Sequence, residues 1–122
     1  MVKWSGGRSQ YRFFMETTMK EQAFRMKLKP GFADEYKKRH DAIWPELKAA
    51  ITASGVYDYS IYLDEDTLSL FAVQKVRDDG NPDSQKEQAI VRKWWDMMAD
   101  IMDVNPDNSP VCVDLRPMFH MD

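Results

Sequence analysis

The hydropathy pattern predicts an α+β domain with element order β-α-β-β-α-β. Two observations carry that expectation. Four short runs alternate apolar with polar or set apolar residues side by side, the signature of strands with buried faces. Two longer stretches, one between the first and second runs and one between the third and fourth, repeat apolar residues at helical spacing.

Residues 1–19 keep neither period, and Gly6-Gly7 with Ser5 and Ser9 are loop composition. They are expected to form a loosely ordered extension ahead of a domain spanning 20–122, with Trp4, Tyr11, Phe13 and Phe14 free to dock on the body or on a partner. From Ala23 the pattern is strict: Phe24, Met26 and Leu28 alternate with Arg25, Lys27 and Lys29, which predicts a strand. Pro30-Gly31 ends it. Phe32, Tyr36, Ile43, Leu47, Ala50 and Ile51 then share one side of a helix that Gly55 stops. Pro45 lacks an N–H, clashes with the carbonyl four residues back and pushes Trp44 out of the helical region, so a kink or break is expected around Asp41 to Trp44.

In the second strand Tyr57, Tyr59, Ile61 and Leu63 alternate against Val56, Asp58, Ser60 and Tyr62. Asp64-Glu65-Asp66-Thr67 is a tight hairpin into a third strand, Leu68 to Val76. After a polar loop from Asp78 to Asp83, Ile90, Val91, Trp94, Trp95, Met98, Ile101 and Met102 line up opposite Arg92, Lys93, Asp96, Asp100 and Asp103 as a second amphipathic helix. Asn105 to Pro110 is turn-rich, and Val111, Val113 and Leu115 alternate as a last strand. This order is the ferredoxin-like split βαβ, with a four-stranded antiparallel sheet and both helices on one face. The third strand is apolar on both faces, so the open side of the sheet needs a cover. Sheet-to-sheet pairing in a homodimer supplies one.

Composition narrows the function. At 122 residues the chain is one domain's worth, and 17 Lys+Arg against 20 Asp+Glu give a net charge of −3. With a pI near 5.4 and a mean hydropathy of −0.60, neither nucleic acid nor a membrane surface is an expected partner. Cys112 is the only cysteine, so no intrachain disulfide forms and no cysteine cluster holds zinc. A reducing, cytoplasmic setting fits, since no run is long and apolar enough to span a membrane and the first 20 residues lack a signal peptide's apolar block.

Tyr36 and His40, spaced i and i+4, stand one turn apart on the buried helical stripe. A histidine there is by default a core residue with its nitrogens hydrogen-bonded. The break at Pro45 opens the packing beside it, which makes a polar cavity between helix and sheet easier to form. Trp94 and Trp95 lie about 100° apart around their helix, so they cannot point at the same spot. At least one fits the core, while an indole face also suits the C–H face of a sugar. Tyr57 and Tyr59 share a strand face where phenols need polar partners that core packing alone does not provide. His120 is too isolated to define a metal site with His40, and no GxGxxG, P-loop, GxSxG or HExxH occurs.

The run Glu35-Tyr36-Lys37-Lys38-Arg39-His40-Asp41-Ala42-Ile43-Trp44-Pro45-Glu46-Leu47 is followed by Asp58-Tyr59-Ser60-Ile61-Tyr62-Leu63-Asp64, Lys93-Trp94-Trp95 and Asn105-Pro106-Asp107-Asn108-Ser109-Pro110-Val111. Together, in that order and spacing, they closely resemble the L-rhamnose mutarotase family, from about Lys20 to the C-terminus. The extension before Lys20 and the loop near Asp79 depart from the shorter members. The resemblance implies a dimeric α/β barrel of ferredoxin-like subunits and an isomerase that interconverts the α and β anomers of L-rhamnose without metal or organic cofactor. It places the family's proton-donating histidine on His40 and its sugar-binding residues on Tyr36, Tyr59, Trp94 and Trp95. Ring opening requires a proton delivered to the ring oxygen and one taken from the anomeric hydroxyl, work a histidine does near neutral pH. The group complementary to His40 stays open: Tyr36, water and a carboxylate all qualify. Two other classes share these features: a cofactor-free or haem-associated monooxygenase on the same barrel, and a sugar-sensing module without catalysis.

Overall fold

The structure is a computed structural model that describes residues 19–122. The expected extension 1–19 therefore lies outside the described residues, except for Met19, which already opens the first strand.

Strand β1 (Met19–Lys27) is followed by helices α1 (Ala33–Asp41) and α2 (Pro45–Ala53), then strands β2 (Val56–Asp64) and β3 (Ser69–Arg77). A 3₁₀ helix (Pro82–Glu87), helix α3 (Ala89–Met98) and strand β4 (Val113–Leu115) complete the described chain. The strands pair antiparallel in the order β2-β3-β1-β4, the ferredoxin-like arrangement. The helices cover one face. There Met26, Leu28, Leu70 and Ala72 from the sheet pack with Tyr36, Leu47, Val91, Trp94, Met98, Ile101 and Met102, all under 9% exposed. The other face carries rows that run across all four strands: Tyr62–Phe71–Arg25–Val113 and Ser60–Val73–Ala23–Leu115.

The first helical stretch is two helices. Trp44 is extended (φ −66°, ψ 132°), the conformation that a following proline imposes, and Pro45 begins α2 where its missing N–H has no intrahelical partner to lose. The end of α1 tightens into a turn, with the Ile43 N–H donating to the His40 carbonyl at 3.1 Å. This break lets α1 and α2 change direction against the sheet while keeping both apolar stripes inward.

Strand β2 corrects the simple alternation. Val56 pairs with Val76 and Tyr57 with Lys75, but the next pair is Ser60 with Val73, so a bulge falls at Asp58 and Tyr59. Asp58 takes φ +48° there and its carboxylate reaches Lys75 at 3.3 Å. Two residues opposite one partner shift the alternation by one position. Val56, at 1% exposure, thereby joins Ile61 and Leu63 on the helix side, and Tyr57 leaves the face that Tyr59 was expected to share with it.

Three boundaries also move. The polar loop after β3 contains the 3₁₀ helix, anchored where the Gln85 Nε2 donates to Ser54 Oγ at 3.0 Å. Helix α3 stops at Met98, four residues short of the apolar pattern. Ile101 and Met102 stay buried because the chain turns there to lie along β1: the Lys29 N–H donates to the Ile101 carbonyl and the Asp103 N–H to the Lys27 carbonyl. Apolar spacing reports burial, whichever backbone provides it. The last strand starts at Val113, since the Val111 N–H is already committed to the Asp103 carbonyl.

Candidate active site

Helix α1 presents Tyr36 and His40 from successive turns, and their rings stack with centroids 4.3 Å apart and planes 24° from parallel. The imidazole Nδ1 lies 3.1 Å from the Tyr36 carbonyl oxygen. A carbonyl only accepts, so Nδ1 carries the proton of that bond and neutral His40 keeps its lone pair on Nε2. From α3, Trp94 meets the imidazole edge-on at 5.3 Å and 88°. Trp44, at the break before α2, meets Trp94 edge-on in turn, at 5.2 Å and 87°. Tyr59 comes from the β2 bulge, its ring 6.3 Å from that of Phe24.

These side chains open on a cavity of about 900 Å³, within the range of small-molecule sites. His40, Tyr36, Tyr59, Trp94 and Trp95 all line it. The two adjacent tryptophans, 100° apart, both reach its wall because the cavity is broad enough to meet two sides of α3; Trp94 is buried and Trp95 half-buried. Met26, Ile61 and Leu63 give it an apolar stretch.

Burial sets the protonation states. Desolvation lowers the His40 pKa below its usual value, against the opposing effects of the Tyr36 carbonyl and nearby Asp41. The Tyr36 and Tyr59 phenols are both pushed up, chiefly by desolvation, so each keeps its proton. Tyr59 is nevertheless 40% exposed. The two facts agree for a residue deep in an open cavity, where protein surrounds the ring and its accessible surface is cavity wall. Among the described residues neither phenol oxygen has a hydrogen-bond partner, though Tyr36 is only 8% exposed. Both are donors available to a ligand. Among the described residues four carboxylates line the cavity, Asp34, Asp41, Asp58 and Glu65; of these Asp41 pairs with Lys37 at 3.0 Å and Asp58 with Lys75 at 3.3 Å.

Two contributors were not legible as site residues. Trp44 drew notice only as the residue before a proline; its ring buttresses Trp94. Arg39, next to His40, donates from Nε to Glu35 at 2.8 Å and from Nη1 to the Met97 carbonyl at 2.7 Å and to Asp100 at 2.9 Å. It ties α1 to the end of α3 and so holds His40 against Trp94. The i, i+4 spacing of Glu35 and Arg39 was a local signal, but its extension to Asp100 was not. His120 is remote from all this and bonds Asp122 on the surface. Among the described residues no three His, Cys, Asp or Glu side chains converge as metal ligands, and no helix is long and apolar enough to cross a membrane.

Comparison with known proteins meets this geometry from outside. The sequence model of a family described as L-rhamnose mutarotase matches residues 21–121. An L-rhamnose mutarotase of Phocaeicola vulgatus is 60% identical over 85% of this chain and 100% of its own, and one of Bacteroides thetaiotaomicron is 59% identical over the same shares. The crystal structure of an L-rhamnose mutarotase from Formosa agariphila superposes with a TM-score of 0.78 at 51% identity, covering 84% of this chain and 99% of that one. A conserved protein from Methanosarcina mazei Go1, at 15% identity and a TM-score of 0.57, covers 87% of this chain and 99% of its own and shares the fold alone. Matched by that family model over nearly all its described length, and at this identity to whole relatives, the chain belongs to the L-rhamnose mutarotase family.

Proposed function

We propose that this protein is an isomerase that interconverts the α and β anomers of L-rhamnopyranose by acid/base-catalysed opening and reclosure of the ring. One observation carries the reading: His40, its Nδ1 held by a backbone carbonyl, sits in the wall of a cavity lined also by Tyr36, Tyr59, Trp94 and Trp95. Nε2 is the nitrogen left to exchange a proton with a sugar oxygen. The phenols suit the ring hydroxyls and the indoles the C–H faces. Met26, Ile61 and Leu63 suit the C6 methyl, which most hexoses replace with a hydroxymethyl. Such an apolar contact discriminates by about 1 to 3 kcal/mol, so sugars sharing the ring stereochemistry of L-rhamnose are slower substrates.

The test is exchange NMR on L-rhamnose at anomeric equilibrium. Added protein is expected to raise the α/β exchange rate far above that of the sugar alone. Sugar binding without faster exchange would mark a sensing module, and oxygen uptake or a haem spectrum would mark a monooxygenase. D-Glucose turned over faster than L-rhamnose would overturn the substrate assignment.

The working unit of this reading is a homodimer. Tyr62 (66% exposed) and Val113 (43% exposed), with half-buried Phe71 and Val73, make the face opposite the helices apolar and, among the described residues, uncovered. Pairing of two such faces buries about 1,200 Å² or more in total, the size of a stable interface. Light scattering is expected to give twice the chain mass at micromolar concentration; a stable monomer would refute it. The cytoplasm suits a chain whose only cysteine is free.

A further inference from the structure

Helix α1 carries His40, yet little apolar surface holds that helix in place. Of its nine residues only Tyr36 is buried, and the chain breaks at Trp44, three residues beyond its end. A short helix is stabilised mainly by the face it packs, and one buried side chain leaves α1 free to roll or slide on its neighbours. Arg39 removes that freedom. Its side chain is 19% exposed, and among the described residues it makes the only side-chain hydrogen bonds from α1 to another part of the chain. Nη1 donates to the Met97 carbonyl at 2.7 Å and to Asp100 Oδ1 at 2.9 Å, while Nη2 reaches Asp100 Oδ2 at 3.4 Å. Nε donates back to Glu35 at 2.8 Å, which fixes the plane of the guanidinium. Met97 is the penultimate residue of α3, where helix carbonyls lack intrahelical donors and the negative end of the helix dipole favours a cation.

Arg39 precedes His40, and Met97 stands one turn beyond Trp94, so Arg39–Met97 and His40–Trp94 form two rungs between the same two helices. The aromatic rung is an edge-on contact of rings 5.3 Å apart, with a modest directional hold. The polar rung is made of charge-assisted bonds, which are stronger and tightly directed. It therefore decides how far α1 lies from α3 and how α1 is rotated, and with that the line along which Nε2 of His40 meets a sugar. Arg39 itself is not part of the cavity wall. We infer, on the strength of the function proposed above, that Arg39 is a positioning residue for anomer exchange: its planar fork across α1 and α3, and not its positive charge alone, sets the approach of His40 to the substrate. Misplacing a catalytic group by about 1 Å costs up to roughly 10²-fold in rate. Lysine keeps the charge, but as a point charge without a fork it cannot serve Glu35, Met97 and Asp100 together.

The experiment compares Arg39→Lys with wild type in the full chain, by exchange NMR over a range of L-rhamnose concentrations and by the His40 ring-proton resonances of the sugar-free protein. Ring currents of Tyr36 and Trp94 displace those resonances, so they report the contact that the fork is inferred to set. In a variant that circular dichroism finds folded, the maximal rate is expected to fall by roughly 10- to 100-fold, with the half-saturating concentration changed far less and the His40 resonances moved. Asp100→Asn, at a side chain 65% exposed, leaves Arg39 its Glu35 and Met97 bonds. It is expected to give a smaller fall and a smaller displacement of the same sign. A wild-type maximal rate in folded Arg39→Lys would overturn the inference, whether or not more sugar is needed to reach it. So would a lowered rate with the His40 resonances unmoved. Should Arg39→Lys fail to fold, Asp100→Asn decides alone, and a wild-type rate with wild-type resonances there overturns the inference. Exchange at the uncatalysed rate in wild type would instead bring down the proposed function, an outcome told apart from the others because it needs no variant.

Discussion

His40→Ala is expected to yield a folded protein that still binds L-rhamnose but exchanges its anomers about 10² to 10⁴ times more slowly than wild type. The imidazole stands between the Tyr36 ring and the edge of Trp94, so truncation removes packing as well as the proton carrier. Those two losses are separable. A packing role alone would lower stability by about 1 to 3 kcal/mol and leave the folded fraction with its rate. The catalytic role leaves a protein that circular dichroism finds folded, with Tyr59, Trp94 and Trp95 still lining the cavity, and with little turnover at saturating sugar. The expected loss lies in the maximal rate because Nε2 matters most while protons are in transit. Wild-type exchange by the folded variant would remove His40 from the mechanism.

Gly55→Ala is expected to lower stability by about 3 kcal/mol or more. Gly55 ends α2 with φ +98°, donating its N–H to the Thr52 carbonyl at 3.0 Å. An L-residue is strained there by roughly 1 to 2 kcal/mol. The larger effect is steric. A Cβ at this position would lie 2.5 Å from the Cα of Gly80, and Gly80 is itself packed against the Ser54 and Arg77 carbonyls. Backbone meets backbone, so no side chain can swing aside, and relieving the overlap must separate the α2–β2 corner from the loop after β3. Gly31→Ala is the control: its φ is +86°, but nothing lies within 4 Å of the added Cβ. That variant is expected to lose only about 1 kcal/mol. Thermal melts followed by circular dichroism measure both. At roughly 4 to 8 °C per kcal/mol for a domain near this size, Gly55→Ala melts well over 10 °C below wild type. Equal losses at the two glycines would show that the Gly55–Gly80 contact is not what the position requires.

The sequence by itself determined which segments bury a face and with what period, and hence the ferredoxin-like order. Strand alternation from Phe24 to Leu28 and the helical spacing of Tyr36, Leu47 and Trp94 are local properties, and Pro45 breaks a helix wherever it stands. The pairing of Tyr36 with His40 was equally local, because residues four apart on a helix face the same way. Long-range geometry decided the rest. The bulge that separates Tyr57 from Tyr59 exists only in the register of β2 against β3, and the end of α3 at Met98 follows from the turn that lays Ile101 and Met102 along β1. Trp44 and Arg39 join the site through partners 50 and 61 residues away, Trp94 and Asp100. Such contacts leave no period in a chain, since the partners share neither an element nor a repeat. The choice of tautomer at His40 has the same origin as the pairing: a carbonyl one helical turn back, in a helix held rigid by the packing around it, takes Nδ1 and turns the lone pair of Nε2 toward the work.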